Sequence, residues 1–411
     1  MALRLDAIGQ RSETVRRANL GAIARELHAR GPLSRSELVA ATGLTRSAIR
    51  GLIGEFVVAG LASEERAESL GTPGRPSPVV RLNPTGATVL ALEITVDSIA
   101  AGIVGLGGEV LDLVRVDRPR GRTSVDDVVA DLTELAASVR DRVQSSDNLI
   151  GVGVAIVGIV RRSDGFVSMA PNLGWSDVPL GHLLARSLDL GVPIALGNEA
   201  DLGALGELRR GAAIGSDYVL FISGEVGVGG GLIVDGRPLT GAAGYGGEVG
   251  HIPVNRNGLA CRCGSAGCWE TEVGEGALLR LAGHPPDGGR SEVEAVLREA
   301  ADSSAVALAA LDAVGRWLGY GLAGLVNVLN SQLVVLGGVF CRIHPFISRP
   351  LAEEFDRRTL PASRALVRIV PATLGVDASL RGAAELAFDP FLADPAAWLR
   401  PRTAVAELAT A

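Results

Sequence analysis

The chain carries Cys-Arg-Cys-Gly-Ser-Ala-Gly-Cys-Trp-Glu at 261–270, ten residues after His251, and no other stretch constrains the fold as tightly. Three thiols and one imidazole are the ligand set of a closed structural zinc site. Cys261 and Cys263 can chelate from one short turn, while Gly264 and Gly267 let the chain double back so that Cys268 reaches the same ion. His251 is the fourth ligand on this reading. Three of the four cysteines fall within eight residues of a chain with five histidines, a spacing that signals metal rather than disulfide. The alternative is four residues with no common task.

A chain of 411 residues, 47% hydrophobic, has room for two or three domains with large cores. No apolar run reaches the ~18 residues of a membrane span. The longest, Leu149–Val160, is broken by glycines and reads as a buried strand. Residues 1–30 are charged throughout and lack the apolar core of a signal peptide. The expectation is a cytoplasmic protein with no membrane contact, its thiols reduced and free for metal. Charge is unevenly spread. Residues 1–82 hold 12 Arg against 8 acids, net +4, and the remainder holds 27 against 38, net −11; there is no lysine. A basic head on an acidic body places any polyanion at the head.

Within the head, Thr14–His28 has helical apolar spacing (Val15, Ala18, Leu20, Ile23, Ala24, Leu27) and stops at Gly31-Pro32. Ser34 with Glu37 is a capping-box pattern for a second helix carrying Leu38, Val39 and Ala41. Thr42-Gly43-Leu44 turns the chain, and Thr45 caps a third helix with Ile49, Leu52, Ile53, Phe56 and Val57 facing inward. A polar hairpin follows, ending in Gly71–Ser77, then a strand over Val79–Leu82. This order predicts a winged helix-turn-helix that binds DNA. Thr45, Arg46, Ser47 and Arg50 sit at the start of the recognition helix, and Arg75, in a stiff Gly-Arg-Pro turn, suits a minor groove. The competing reading makes these arginines solvated surface charges and the head a protein-interaction module. Asn83-Pro84-Thr85-Gly86 marks the boundary to the body.

In the body, Val89–Val104 and Tyr218–Val234 form a crude repeat, each an apolar strand, a tight turn and a second apolar strand, which suggests a duplicated α/β architecture. The Glu-Val-Gly-His turn at 248–251 and the Cys-x-Cys-Gly-x-x-Gly-Cys-x-Glu loop at 261–270 resemble the ROK family, which groups repressors, sugar kinases and uncharacterised reading frames. Weaker similarity runs from about Leu90 to Leu386. The resemblance implies an α/β fold in which the winged helix-turn-helix precedes a two-lobed, actin-like (ribonuclease-H-type) body with a structural zinc loop. The expected divisions are 1–82 for the head, 83–200 for a first lobe completed by about 375–390, 201–374 for a second lobe with the zinc loop, and a loose tail at 391–411.

The resemblance also implies a sugar pocket. Asn198 and Glu199 match an Asn-Asp pair in which Asn holds a sugar hydroxyl and Asp removes its proton; here the acid is one methylene longer. Glu248, His251 and Glu270 match further sugar contacts, His251 serving both metal and sugar, and Asn172 is a candidate on a loop near the mouth. Glu248 and Glu270 can equally be structural supports of the zinc loop. The family's phosphate hairpins are altered. Where kinases have Asp-x-Gly-Gly-Thr, this chain has Glu93-Ile-Thr-Val-Asp97, and where they have Gly-Thr-Gly it has Gly224-Glu-Val-Gly227. Glycines are needed there for backbone amides to approach an anion, and Asp97 beside a triphosphate is repulsive. The expectation is therefore a sugar-responsive, DNA-binding regulator, a repressor, with Zn2+ as its cofactor, no ATP and no catalytic residue. Its partners are operator DNA and a sugar or sugar phosphate, and it works as a homodimer or dimer of dimers. The alternatives are an ATP-dependent sugar kinase with a regulatory head, and a constitutive regulator whose body only dimerises.

Overall fold

The computed structural model describes residues 12–65, 77–121, 123–143 and 148–399. At the start are α1 (Ser12–Arg30), β1 (Leu33–Ser34), α2 (Arg35–Thr42), α3 (Arg46–Val58), β2 (Ala62–Glu65) and β3 (Val79–Leu82). Local chemistry sets these boundaries. Ser34 Oγ accepts from Glu37 N at 3.2 Å while Glu37 Oε2 accepts from Ser34 N at 2.7 Å, closing the capping box. Gly43, at φ +70°, ends α2 in the left-handed region. Thr45 Oγ1 then accepts from Ala48 N at 3.2 Å and starts α3. The strands pair in the order β1-β3-β2. Ile49, Leu52, Ile53 and Phe56 are buried as expected, but Val57 is 40% exposed. One step past Phe56 turns a side chain by about 100°, off the buried stripe. Val15 is also 40% exposed, because α1 enters the core only from Leu20 onward. Residues 66–76, and with them Arg75, lie outside the described residues.

The body is built on two five-stranded sheets. The first contains β4 (Thr88–Ile94), β5 (Ser98–Gly105), β6 (Val110–Asp117), β7 (Leu149–Ile156) and β11 (Ile194–Asn198), in the order β11-β7-β4-β5-β6. Between these strands come α4 (Val125–Arg142), a small sheet of β8 (Ile159–Arg161), β9 (Phe166–Ala170) and β10 (Trp175–Val178), and α5 (Leu180–Leu188). Helix α6 (Glu199–Arg210) leads to the second sheet, β12 (Val219–Gly224), β13 (Val228–Val234), β14 (Arg237–Pro238), β15 (Leu333–Gly338) and β16 (Arg368–Pro371), ordered β14-β13-β12-β15-β16. Helices α7 (Glu270–Val273), α8 (Glu275–Ala282), α9 (Gly289–Ala301), α10 (Ala305–Leu329), α11 (Val339–Arg358) and α12 (Pro361–Arg364) accompany it, and α13 (Ala378–Ala393) follows. Each sheet has the same kernel: an antiparallel hairpin, β4–β5 or β12–β13, whose first strand also pairs in parallel with β7 or β15. The sequence repeat is this kernel. The apolar run that begins at Leu149 is β7 only as far as Ile156, where Gly158, at φ +118°, turns the chain into β8.

Helices α6 and α13 cross between the sheets. α6 packs on β12 and β13, α13 on β4 and β7, and the two helices pack on each other. Their contact is backbone to backbone: a Cβ on Gly382 would overlap the Leu202 carbonyl, and one on Gly206 would overlap that of Ala378. Only glycine fits at such a crossing.

One apolar core joins head and body, running from Leu20, Ile53 and Phe56 through Val89, Ala91 and Ile150 to Leu380, Phe388 and Phe391. The expected tail therefore begins later than residue 391. Phe391 and Leu392 are buried in α13, and Arg25 of α1 donates to the Leu392 carbonyl at 2.9 Å. Residues 400–411 lie outside the described residues.

Candidate functional site

The zinc-like loop folds as its glycines require. Gly264 (φ +91°) and Gly267 (φ +67°) take left-handed conformations, and a side chain on Gly267 would overlap the Asn255 carbonyl. A bridge between Pro253 and Cys268 brings the end of the loop back beside the residues following His251. One ligand atom from each of His251, Cys261, Cys263 and Cys268 lies within 4.8 Å of all the others, forming a possible metal-binding group. Cys261 Sγ is 3.7 Å from His251 Nδ1, and Cys263 Sγ is 3.7 Å from Cys268 Sγ. A tetrahedral ion with metal–sulfur bonds of about 2.3 Å needs ligand–ligand edges of about 3.8 Å, so the donor set fits such an ion. Glu270 stands behind the cluster, its Oε1 accepting from Cys261 Sγ at 2.8 Å.

His251 presents Nδ1 to the cysteines, while its Nε2 lies 3.8 Å from Glu248 Oε2. This second face looks into a cavity of about 870 Å³ between the sheets, lined by Asn172, Asn198, Glu199, Glu248, His251 and Glu270 among others. The structure thus gathers all six residues singled out from sequence into one cleft. The two asparagines also have partners of their own. Asn198 Oδ1 caps α6 by accepting from Ala200 N (2.8 Å) and Asp201 N (3.3 Å), and its Nδ2 donates to the Gly158 carbonyl (2.9 Å). Asn172 Oδ1 accepts from Arg262 of the cysteine loop at 2.6 Å, linking the two walls of the cleft. The Glu199 carboxyl is pushed well above the usual carboxylate range, first by burial and then by Glu225, Glu93, Asp97 and Glu248. Burial likewise raises Glu225, to about 7.

The deeper end of the cleft is filled with ion pairs. Glu93 is bound by Arg115 and by the Ser379 hydroxyl. Thr95 Oγ1 accepts from Ser98 N at 3.0 Å, closing the turn after β4 on itself. Asp97, expected to repel a triphosphate, pairs with Arg120 at 3.0 Å and with Arg290 at 3.8 Å. Arg120 also binds Glu275 of α8, so these pairs tie the first sheet's turn to the second sheet's helices. Val226, at the tip of the β12–β13 turn, packs against the core of the first sheet.

Sequence reading missed several buried polar residues. Glu207 accepts from the amides of Ala212, Thr373 and Leu374 and fixes the end of α6. Asp201 is 4% exposed in α6. Their only sequence signal is an acid on an otherwise apolar helix face. Burial, opposed by Arg162 and reinforced by Glu248, lifts the Asp201 carboxyl from 3.8 to about 7. The folded chain therefore keeps a proton that the unfolded chain has lost between these values, and stability falls as pH rises through that window. Asp201→Asn is expected to remove this loss, gaining on the order of a few kcal/mol over the parent at pH 8 compared with pH 5. Urea unfolding at both pH values reads the difference; an equal gap at each would show that Asp201 titrates normally. Cys341 is separate from the cluster, its thiol lying 3.6 Å from the Ala372 carbonyl.

Two sheets with the same kernel, crossing helices and a cleft between them define an actin-like protein, here carrying a Cys3His group on one wall. Residues 89–389 match the model of the ROK family, and the chain belongs to that family. It is 27% identical over 380 residues to the xylose repressor of Bacillus subtilis (strain 168), covering 92% of this chain and 97% of that protein. It is 33% identical over 296 residues to a glucokinase of Halalkalibacterium halodurans, covering 67% of this chain and 87% of that one. Among solved structures it superposes on a ROK family transcriptional regulator described as a homologue of the E. coli Mlc protein, with TM-score 0.75, 25% identity, and 94% and 97% of the two chains covered. A ROK glucokinase from Streptomyces griseus in complex with glucose and AMPPNP gives TM-score 0.65 and 28% identity over 73% of this chain and 99% of its own. Among the described residues no helix is long and apolar enough to cross a membrane.

Proposed function

We propose that the chain is a sugar-responsive DNA-binding transcriptional regulator, acting as a repressor, whose body binds a sugar without phosphorylating it. The observation that carries this reading is the extent of the similarity. The Bacillus subtilis xylose repressor and the Mlc-homologue regulator run over 92% and 94% of the chain, whereas the two glucokinases cover 67% and 73% of it. On this reading residues 1–82 are a winged helix-turn-helix, 83–200 with about 375–390 form one lobe, and 201–374 form the other. Thr45, Arg46, Ser47 and Arg50, all exposed at the start of α3, contact DNA together with Arg75. The amide of Ala48 uses Thr45 Oγ1 only as an acceptor, so the hydroxyl proton is free for a phosphate oxygen.

Asn172, Asn198, Glu199, Glu248, His251 and Glu270 supply the sugar contacts, and the Cys3His group holds structural Zn2+. When bound, zinc supplies charge and rigidity to the wall; His251, fixed by Nδ1, then aims Nε2 at a hydroxyl. A nucleotide is disfavoured because Glu93, Asp97 and Glu225 line the deep cleft and its arginines are already paired. A homodimer would present two heads to a palindromic operator, and sugar shifts operator affinity only by its differential affinity for the two states.

The deciding experiment is fluorescence anisotropy on DNA selected by the protein from a random pool, at fixed salt, with sugars and ATP added singly. A shift with one sugar and none with ATP supports the proposal. Specific DNA binding absent, with sugar-dependent ATP turnover that Glu199→Ala abolishes, would replace it with a kinase.

A further inference from the structure

Helix α6 starts in the pocket and ends under the head. Asn198 caps it and Glu199 is its first residue; Arg210 is its last. Twelve residues of helix span about 18 Å. At the far end, Arg210 Nε donates to Glu385 Oε1 at 2.7 Å, and its Nη1 donates to the carbonyl oxygen of His28 at 2.7 Å. The other Glu385 oxygen lies 3.1 Å from His28 Nε2, and Gly107 N donates to His28 Nδ1 at 3.0 Å. Because Nδ1 accepts from Gly107, Nε2 is the ring atom that donates to Glu385. His28 is 2% exposed and Glu385 3%. A closed polar cluster thus lies inside an apolar core.

The four members arrive from different bodies. His28 belongs to α1, Glu385 to α13 and Gly107 to the turn after β5, and these three elements contribute to the core shared by head and first sheet. Arg210 comes from α6, which packs on the second sheet. It grips tightly, since a Cβ on Gly108 would overlap its guanidinium. It is also incompletely satisfied: Arg210 Nη2 is buried with no acceptor among the described residues. The head itself has little freedom to pivot on the first sheet, because a Cβ on Gly21 would lie 2.7 Å from the Ala393 carbonyl oxygen and Arg17 pairs with Asp394.

We propose that Arg210, acting through Glu385 and His28, is the positioning residue that carries the state of the sugar pocket to the head. The inference rests on the pocket and head readings above. A ligand held by Asn198 and Glu199 bears on the first turn of α6. A helix transmits a small displacement along its length, and a buried, directional polar cluster at its other end holds or rearranges rather than stretching. The two ends of one helix then supply what coupling requires, different contacts in two states.

The test uses the full-length, zinc-loaded chain and hydrogen exchange of the amides of residues 12–30, with and without saturating D-xylose or D-glucose, binding being followed by thermal shift. In the parent, a bound sugar is expected to change exchange around His28 on the order of tenfold. In Arg210→Met the sugar still binds, within about twofold of the parent, but this change disappears; Arg210→Lys restores part of it. Glu385→Gln, which keeps the shape and lacks the charge that holds Arg210, serves as a second variant should Arg210→Met not fold. A purely structural role would move baseline exchange and melting temperature but leave the sugar-dependent ratio intact, and that result overturns the inference. So does a parent that binds sugar with no change at α1. If neither sugar binds, the pocket reading fails for both and takes this inference with it.

Discussion

On the proposed reading, Cys268→Ser is expected to cost the Cys3His group its zinc and to collapse the adjoining pocket along with it. Cys268 is fully buried, and its backbone bridges Pro253, two residues after His251, so its loss affects both strands of the loop. Serine removes a soft thiolate from a four-ligand set, and a closed zinc site missing one ligand keeps little affinity. Small zinc domains gain apparent binding free energies of about 10–16 kcal/mol from the ion. Here the loop is one part of a large lobe, and a loss of a few kcal/mol, or on the order of 10 °C in melting temperature, is the expected share. The cavity wall between Leu259 and Cys263 is the loop itself, and His251 is oriented by it, so sugar affinity should fall at least about tenfold, the range known for loss of groups that orient a metal site. Elemental analysis should find one zinc per parent chain and almost none in the variant. A parent free of zinc with the same melting temperature as the variant would remove the metal from the account.

Arg50→Ala should have the second large effect, at the other end of the chain. Arg50 is exposed on α3, one turn beyond Arg46 and about 100° around the helix from the buried Ile49. Ala48 and Ile49 complete the capped first turn, which fixes the direction in which Arg46 and Arg50 leave the helix. An arginine bidentate to guanine contributes about 1–3 kcal/mol of discrimination, so affinity for a selected DNA should fall roughly five- to 150-fold. A phosphate contact would instead weaken all sequences alike and reduce the salt slope by about one. Competition with scrambled DNA across a salt series separates the two. Sugar binding should be untouched, because α3 lies on the head and the pocket lies between the sheets. Unchanged affinity for both selected and scrambled DNA would remove Arg50 from the interface.

The parts that were legible in the sequence are those whose cause is local. Ser34 with Glu37, Gly43 and Thr45 fix the helix ends through hydrogen bonds spanning three or four residues, and the structure contains each of them. The cysteine loop was legible because its glycines and thiols are adjacent in the chain, and chelation by neighbours needs no knowledge of the fold. The paired hairpins were legible as two apolar runs of similar length. Val57 was misplaced because a valine next to a buried phenylalanine carries the same apolar signal, and only the stripe's direction, set by what α3 packs against, separates them.

Sequence by itself determined the capped helices of the head, the duplicated hairpins and the Cys3His group, since each follows from residues close enough to constrain one another before any tertiary contact forms. Only the tertiary structure decided that head and body share one core, that α13 extends that core past residue 391, and that Asp97 is neutralised by Arg120 and Arg290. It alone brought His28 to Glu385, 357 positions away, and set Arg210 beside both. Such pairings leave no periodicity in the chain, because a buried charge is selected by its partner across the fold and not by its neighbours in sequence.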